Sequence, residues 1–251
     1  MMHRIVDFHS HILPQIDDGS RSVEESLTML RMEAEQGVGH VVATPHFYPQ
    51  HDDPARFLAR REKAELLLRE AMDGLKDMPK LSIGAEVYYF NGISDSDAVS
   101  ELTIDKKNGI LIEMPNTSWT DTMYRELEGL YVKRGLVPII AHLDRYLTSR
   151  RSLEIPARLA ELPVLVQVNA EFFLHWSTAR RALRMLKNNN IHLLGSDCHN
   201  LRSRTPNLES AVDVIRKRLG DSPLERICSY EQLVLGEQQN VVSHASHALD
   251  R

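Results

Sequence analysis

Short apolar runs alternate with amphipathic stretches along most of this chain. Seven runs read as strands, at residues 4–8, 40–44, 81–86, 109–113, 137–141, 164–169 and 191–195. Most are continuously apolar rather than alternating, which suits strands covered on both faces of a parallel sheet. Helical patterns lie between most of them. The stretch 22–36 opens on a capping-box pattern, Ser22 with Glu25, sets Leu27, Leu30 and Ala34 on one face, and stops at Gly37. Helices are also predicted over 54–75 and 120–134, over 177–187 with Ser177 as cap, and over 205–219, with Thr205 as cap and Pro206 at the first helical position. A less regular helix is expected within 145–162. Strands alternating with helices predict an α/β fold with right-handed crossovers, a (β/α) barrel-like domain. Seven strands, one short of the common barrel, predict a distorted or incomplete ring.

The length of 251 residues suits one barrel of this kind. With no internal repeat or linker, one domain is expected over 1–238, followed by a polar, poorly patterned tail over 239–251. Hydrophobic residues make up 42% of the chain, enough for a substantial core. The net charge of −5, with histidines neutral, gives no chain-wide attraction to nucleic acid or anionic membrane. An anionic substrate would therefore need local positive charge, from metal ions or a few arginines. Two cysteines, Cys198 and Cys228, allow one disulfide at most. The N-terminus lacks the apolar run of a signal peptide, and no window reaches the about 18 apolar residues of a membrane span. A reduced, cytoplasmic setting is expected.

The chemistry gathers where the predicted strands end. The first run is followed by His9-Ser10-His11, and the second by His46. The third ends in Glu86 and the fourth in Glu113. His142 follows the fifth, and Asp197-Cys198-His199 follows the seventh. Only the sixth, ending at Asn169, lacks an evident metal ligand. In a parallel barrel these ends converge on one face. A His-x-His pair on extended backbone points both imidazoles to the same side, as does Asp-x-His. The turn sequence Pro14, Asp17, Asp18, Gly19 can return a carboxylate to the same place. The candidates are His9, His11, Asp18, His46, Glu86, Glu113, His142, Asp197 and His199, five imidazoles and four carboxylates. One zinc ion needs three or four protein ligands, so nine candidates point to two or three ions. The mixed donor set suits Mn, Fe or Zn without a unique choice. Any one of these residues alone would more often be structural; the joint pattern carries the inference. Carboxylates crowded at one barrel mouth would repel one another without cations. The other histidines, His3, His40, His51, His175, His192, His244 and His247, read as surface or core residues.

The blocks FHSHILPQIDDGS, ATPHF, GAEVY, IEMP, AHLDRY and GSDCHNLRSRTP resemble the PHP (polymerase and histidinol phosphatase) superfamily. More narrowly they resemble its bacterial protein-tyrosine phosphatases of capsule and exopolysaccharide synthesis, the CpsB/YwqE-like group. The resemblance runs in order from about residue 1 to about 235. It implies a distorted seven-stranded (β/α) barrel with a trinuclear centre, usually associated with manganese. Carried onto this chain, it implies one ion on His9, His11, Glu86 and Asp197. Glu86 would bridge to a second ion on Glu113 and His142, and Asp18, His46 and His199 would hold a third. Arg145 and Arg204 match family arginines that contact phosphate. Two departures stand out: Leu143 follows His142 where the family commonly has proline, and Asn169-Ala170-Glu171-Phe172 replaces a common NAGS.

The expected reaction is hydrolysis of a phosphate monoester by a hydroxide that two or three divalent ions (Mn foremost; Fe, Zn or Mg as alternatives) generate and position. Arg145 and Arg204 would bind the non-bridging oxygens, and His199 or a water on the metal would supply a proton. The substrate implied by the resemblance is phosphotyrosine in a protein, such as the tail of a bacterial tyrosine kinase. Four rivals remain at this point. One is a histidinol-phosphatase-like enzyme acting on a small molecule, and another is a metal amidohydrolase. A third is a non-catalytic metal-binding module. The fourth is a cysteine-dependent phosphatase, since residues 198–205 match C-x5-R-[ST]. The adjacent Asp197 and the lack of glycine in that loop argue against a reactive thiolate.

Overall fold

Pro45 and Gly84 decide how the sheet bends. The computed structural model describes residues 5–147 and 154–236. The second predicted run, 40–44, falls in β2 (Val38–Ala43), and a short strand that the sequence did not predict, β3 (His46–Phe47), follows across Pro45. The third is divided beside it into β4 (Lys80–Ile83) and β5 (Glu86–Tyr88). Proline has no N–H for the ladder, so the strand cannot continue straight through it. Gly84 N donates to Ala43 O at 2.9 Å and Glu86 N to Pro45 O at 3.0 Å, which carries the pairing across the paired breaks. A Cβ at Gly84 would stand 3.0 Å from Ile104 Cγ1, so the absence of a side chain lets that segment lie close.

The remaining strands are β1 (Ile5–Ser10), β6 (Gly109–Glu113), β7 (Val137–Ile140), β8 (Leu165–Asn169) and β9 (Leu193–Gly195). The described residues thus form nine strands where seven were expected, because the third run is cut in two and β3 follows the second run as a strand of its own. One sheet has the order β1-β2-β4 and the other β3-β5-β6-β7-β8-β9, with every pair parallel. Together they form a curled parallel sheet. Asp197 N donates to His9 O at 2.7 Å and His11 N to Cys198 O at 2.9 Å, so the chain leaving β9 returns against the end of β1. Val6, Phe8, Leu111, Ile139, Leu165 and Leu193 share one apolar cluster across the curl. A larger cluster packs the strands against the helices.

Helices α1 (Val23–Glu35), α2 (Pro54–Met72), α3 (Asp121–Arg134), α4 (Ile155–Leu159), α5 (Glu171–Leu174), α6 (Ala179–Lys187), α7 (Leu208–Leu219) and α8 (Ser222–Leu235) fill the crossovers and close the end of the chain. Ser22 caps α1 by accepting from Glu25 N, whereas the Glu25 carboxylate accepts from Arg21 N rather than completing the box at Ser22. Two predicted caps are displaced. Thr178, not Ser177, precedes α6, and Asn207, not Thr205, precedes α7. The sequence did not predict α8, whose Val234 and Leu235 join the cluster across the curl. Of the irregular helix expected in 145–162, the described part is a 3-10 turn at Leu143–Tyr146 and the short α4. The expected tail at 239–251 lies outside the described residues, as do His3, His244 and His247. Among the described residues no helix is long and apolar enough to cross a membrane.

Candidate metal centre

His9 and Glu113 lie in the last residues of β1 and β6, His11 and Asp18 in the turn after β1, His46 and Glu86 at the breaks where β3 and β5 begin, and His142, Asp197 and His199 just after β7 and β9; all nine meet in one cluster. Glu86 is at its middle. Its Oε2 lies 2.8 Å from His46 Nδ1, 3.2 Å from His9 Nε2 and 3.3 Å from His11 Nε2. Its Oε1 lies 2.7 Å from His142 Nε2. Glu113 Oε1 is 3.7 Å from the same His142 nitrogen. Asp197 Oδ1 is 3.6 Å from His9 Nε2, His11 Nε2 and His199 Nδ1. Asp18 Oδ1 lies 3.5 Å from both His46 Nε2 and His199 Nε2.

These distances make a poor hydrogen-bond network and a good donor set. His9 Nε2 and His11 Nε2 face each other at 3.1 Å. His46 Nδ1, Glu86 Oε2, Glu113 Oε2, His142 Nδ1 and His199 Nε2 are buried without a well-formed hydrogen bond. Buried polar atoms rarely go unmatched, and divalent cations match nitrogen lone pairs and carboxylate oxygens together. Three overlapping groups offer donor atoms within 4.8 Å of one another: His11, Asp18, His46 and His199; His9, His11 and Glu86; His46, Glu86 and Glu113. The residues present therefore fit divalent metal. The groups overlap at His11, His46 and Glu86, so the geometry alone does not divide the nine into separate sets.

The charges show what the cluster does without cations. Burial would raise Glu86, but the surrounding histidines, His9 foremost, hold its carboxyl well below the usual range. Burial would lower His9 and His11, yet Glu86 and Asp197 raise the first, and Asp17 with Glu86 raises the second to about 10. Burial, then the nearby His11, pushes His199 down to about 4. Burial and Glu86 push Glu113 up to about 6. The carboxylates thus favour the protonated forms of His9 and His11, whereas burial holds His142 and His199 below the ordinary range.

A supporting layer orients the ligands, and sequence reading missed most of it. Asp17, read only as part of a turn, accepts from His11 Nδ1 at 2.7 Å and from His46 N at 2.9 Å. Gln167 Oε1 accepts from His142 N at 2.6 Å and lies 3.2 Å from His9 Nδ1. Asn169 Nδ2 donates to Asp197 Oδ2 at 2.9 Å. Such partners fix the tautomer and leave each Nε2 as a donor atom. His142 and Asp197 have left-handed φ of 32° and 54°, strain concentrated at the site. The signal available for Gln167 and Asn169 was their two-residue spacing at the end of an otherwise apolar run.

Gly195 is fixed by this packing. A Cβ there would stand 2.6 Å from His9 Cβ and 2.7 Å from Gln167 Nε2. Gly195→Ala is expected to lose roughly 1–3 kcal/mol of stability through overpacking. It should also weaken metal binding, because His9 must move. Thermal melts and metal titration of the variant check both effects.

Arg145 and Arg204 both reach Asp197, the second at 2.7 Å, and both are partly exposed at the rim. Leu143 is fully buried, so the first departure from the family pattern is absorbed by the core. In the second, Glu171 is exposed while Phe172 is buried. Cys198 is fully buried, and burial, then Glu33 and Asp7, push its thiol well above the ordinary range. The amides of Arg202 and Ser203 donate to Asn200 Oδ1, each at 2.9 Å, instead of lining a phosphate cradle. A cysteine nucleophile has neither a thiolate nor a loop here.

Comparison with known proteins identifies the family of the chain. The family described as "Capsular polysaccharide synthesis, CpsB/CapC" matches residues 5–234. The tyrosine-protein phosphatase CpsB of Streptococcus pneumoniae is 31% identical over 234 residues, covering 86% of this chain and 91% of that protein. The tyrosine-protein phosphatase YwqE of Bacillus subtilis (strain 168) is 29% identical over 245 residues, covering 93% and 92%. Among solved structures, the crystal structures of YwqE from Bacillus subtilis and CpsB from Streptococcus pneumoniae, described as unique metal-dependent tyrosine phosphatases, include a chain with a TM-score of 0.80. It is 26% identical, and the match covers 94% of this chain and 96% of that one. An L-hydantoinase from Arthrobacter aurescens matches at a TM-score of 0.55 and 12% identity, over 94% of this chain and 71% of that one, a likeness of fold alone.

Proposed function

Because this chain belongs to the CpsB/CapC family of capsular polysaccharide synthesis proteins, we propose that it is a metal-dependent protein-tyrosine phosphatase acting in the cytoplasm on a tyrosine-phosphorylated protein. The observation that carries this reading is the convergence of nine imidazoles and carboxylates with five buried donor atoms lacking hydrogen-bond partners. Cys198 is a buried thiol, in keeping with a reducing compartment. A kinase tail is the substrate that capsule synthesis suggests.

His9, His11, Asp18, His46, Glu86, Glu113, His142, Asp197 and His199 would hold two or three divalent ions, manganese first. Such ions neutralise phosphate oxygens and bring the pKa of water towards neutrality. The chain's own groups do the rest. Arg145 and Arg204 present planar donors at the rim, suited to the non-bridging oxygens of a phosphate monoester. Asp17 and Gln167 hold His11 and His9 so that Nε2 of each faces the centre. His199 Nδ1 donates to Asp197 O at 2.9 Å, which leaves Nε2 as a lone pair. That geometry suits His199 to ligation rather than to the proton donation expected from sequence. Phenolate leaves readily, so tyrosine phosphate needs little general-acid help.

Hydrolysis of p-nitrophenyl phosphate and a phosphotyrosine peptide tests the reading. Activity should vanish on chelation and return with Mn or another divalent ion. Cys198→Ser should stay active and remain metal-dependent. Activity that survives chelation and dies in Cys198→Ser would overturn it.

A further inference from the structure

A cavity of about 700 Å³ adjoins the metal centre. Its walls include Asp18 and His46 together with Tyr48, Asp52, Arg56 and Arg60. That volume falls in the range of small-molecule and side-chain sites. Tyr48 stacks beside His46, ring centroids 5.0 Å apart at 29°, and Tyr88 lies 5.6 Å beyond it. An aromatic wall therefore runs outward from the candidate ligands.

The charged wall is built rather than accidental. Asp52, only 14% exposed, accepts from Arg56 Nε at 3.0 Å and pairs with Arg60 as well. Arg60 Nη1 also reaches Ile16 O at 3.5 Å. One carboxylate thus holds two guanidiniums, and two positive charges less one negative leave one uncompensated. The other acids lining the cavity are engaged elsewhere: Asp17 with His11 and His46 N, Asp18 with His46 and His199. Among the described residues the Arg56 side chain donates only through Nε, so its terminal nitrogens are free to bind.

We propose that this cavity is a substrate subsite for an acidic residue flanking the phosphotyrosine, with the ring against Tyr48 and the carboxylate on Arg56 and Arg60. The proposal rests on the tyrosine-phosphatase reading and goes beyond it by naming the peptide class. A guanidinium offers paired donors that match a carboxylate, and Asp52 has already fixed both arginines in place. The subsite is partly exposed, so its contribution should be modest and should fall as salt screens it.

The metal-loaded enzyme is assayed on two phosphotyrosine peptides that differ only in glutamates or glutamines flanking the phosphotyrosine. The ratio of their kcat/KM values is the readout, because it cancels any difference in folded fraction. The wild type should prefer the glutamate peptide by about fivefold at low salt and less at high salt. Arg56→Ala/Arg60→Ala should bring the ratio to about one. Arg56→Glu/Arg60→Glu should invert it and favour a lysine-flanked peptide. If the wild type cleaves both peptides equally, or if the preference survives in both variants, the subsite is wrong and the phosphatase reading stands. If neither peptide is cleaved in the presence of metal, that reading fails and the subsite fails with it.

Discussion

Glu86→Gln is expected to remove metal-dependent activity and most of the metal affinity while the protein still folds. Glu86 touches four imidazoles, those of His9, His11, His46 and His142. Glutamine keeps the size and one acceptor oxygen but loses the charge that draws cations into a buried pocket. Changing an outer partner of a metal ligand costs up to roughly 100-fold in affinity, and a central carboxylate should cost at least that. Thermal melting measures the loss apart from turnover. At metal 100 times its dissociation constant, binding adds about 2.7 kcal/mol to the wild type. A roughly 100-fold weaker site gains only about 0.4 kcal/mol at the same concentration. For a protein of this size the metal-induced rise in Tm should shrink from about 5–11 °C to about 1 °C. Equal metal-induced shifts in both proteins would remove Glu86 from the centre.

Glu86 shows which parts of the site could be read in the chain. It ends an apolar run, and so do Glu113 and Asn169; a strand end in a parallel sheet is a place the sequence can locate. His9 and His11 were legible for the same reason. Less legible were partners set by which strands become neighbours. Gln167 serves His9 and His142, residues 158 and 25 positions away, and nothing local in its run announces them. The pattern of apolar runs gave the curled parallel sheet but not its strand count. The end of the second run before Pro45 was legible but the strand β3 beyond it was not, and the matching break at Gly84 follows from the contact with Ile104. Helix α8 escaped because its buried face includes Glu231 among Pro223, Ile227, Val234 and Leu235, which blurs the apolar period. Arg56 and Arg60 read as solvated charges on a long helix; only the fold sets them across a cavity from His46.

Asp7→Ala is expected to be the most damaging change to stability outside the ligands themselves. Asp7 is fully buried beneath the centre. Its Oδ1 accepts from His9 N at 3.0 Å and Ser196 N at 2.9 Å, and its Oδ2 accepts from Ser196 Oγ at 2.5 Å. The one carboxylate therefore ties β1 to the segment that leaves β9, the two ends of the curl. Burial raises the pKa of Asp7, and burial, then Asp7, raise that of Glu33 well above the ordinary range. Two carboxyls so placed in a dry interior favour a shared proton over two charges. Alanine would strand three buried donors, each at about 1–3 kcal/mol, so a loss of at least about 3 kcal/mol is expected. That corresponds to a fall in Tm of roughly 6–12 °C. Asp7→Asn keeps an acceptor for the two amides and can donate to Ser196 Oγ. It also ends the competition with Glu33 for a proton, so it should cost less than half as much. Melting curves of the two variants without added metal decide the matter. If asparagine is as damaging as alanine, the charge of Asp7 rather than its hydrogen bonds holds the two ends of the sheet together.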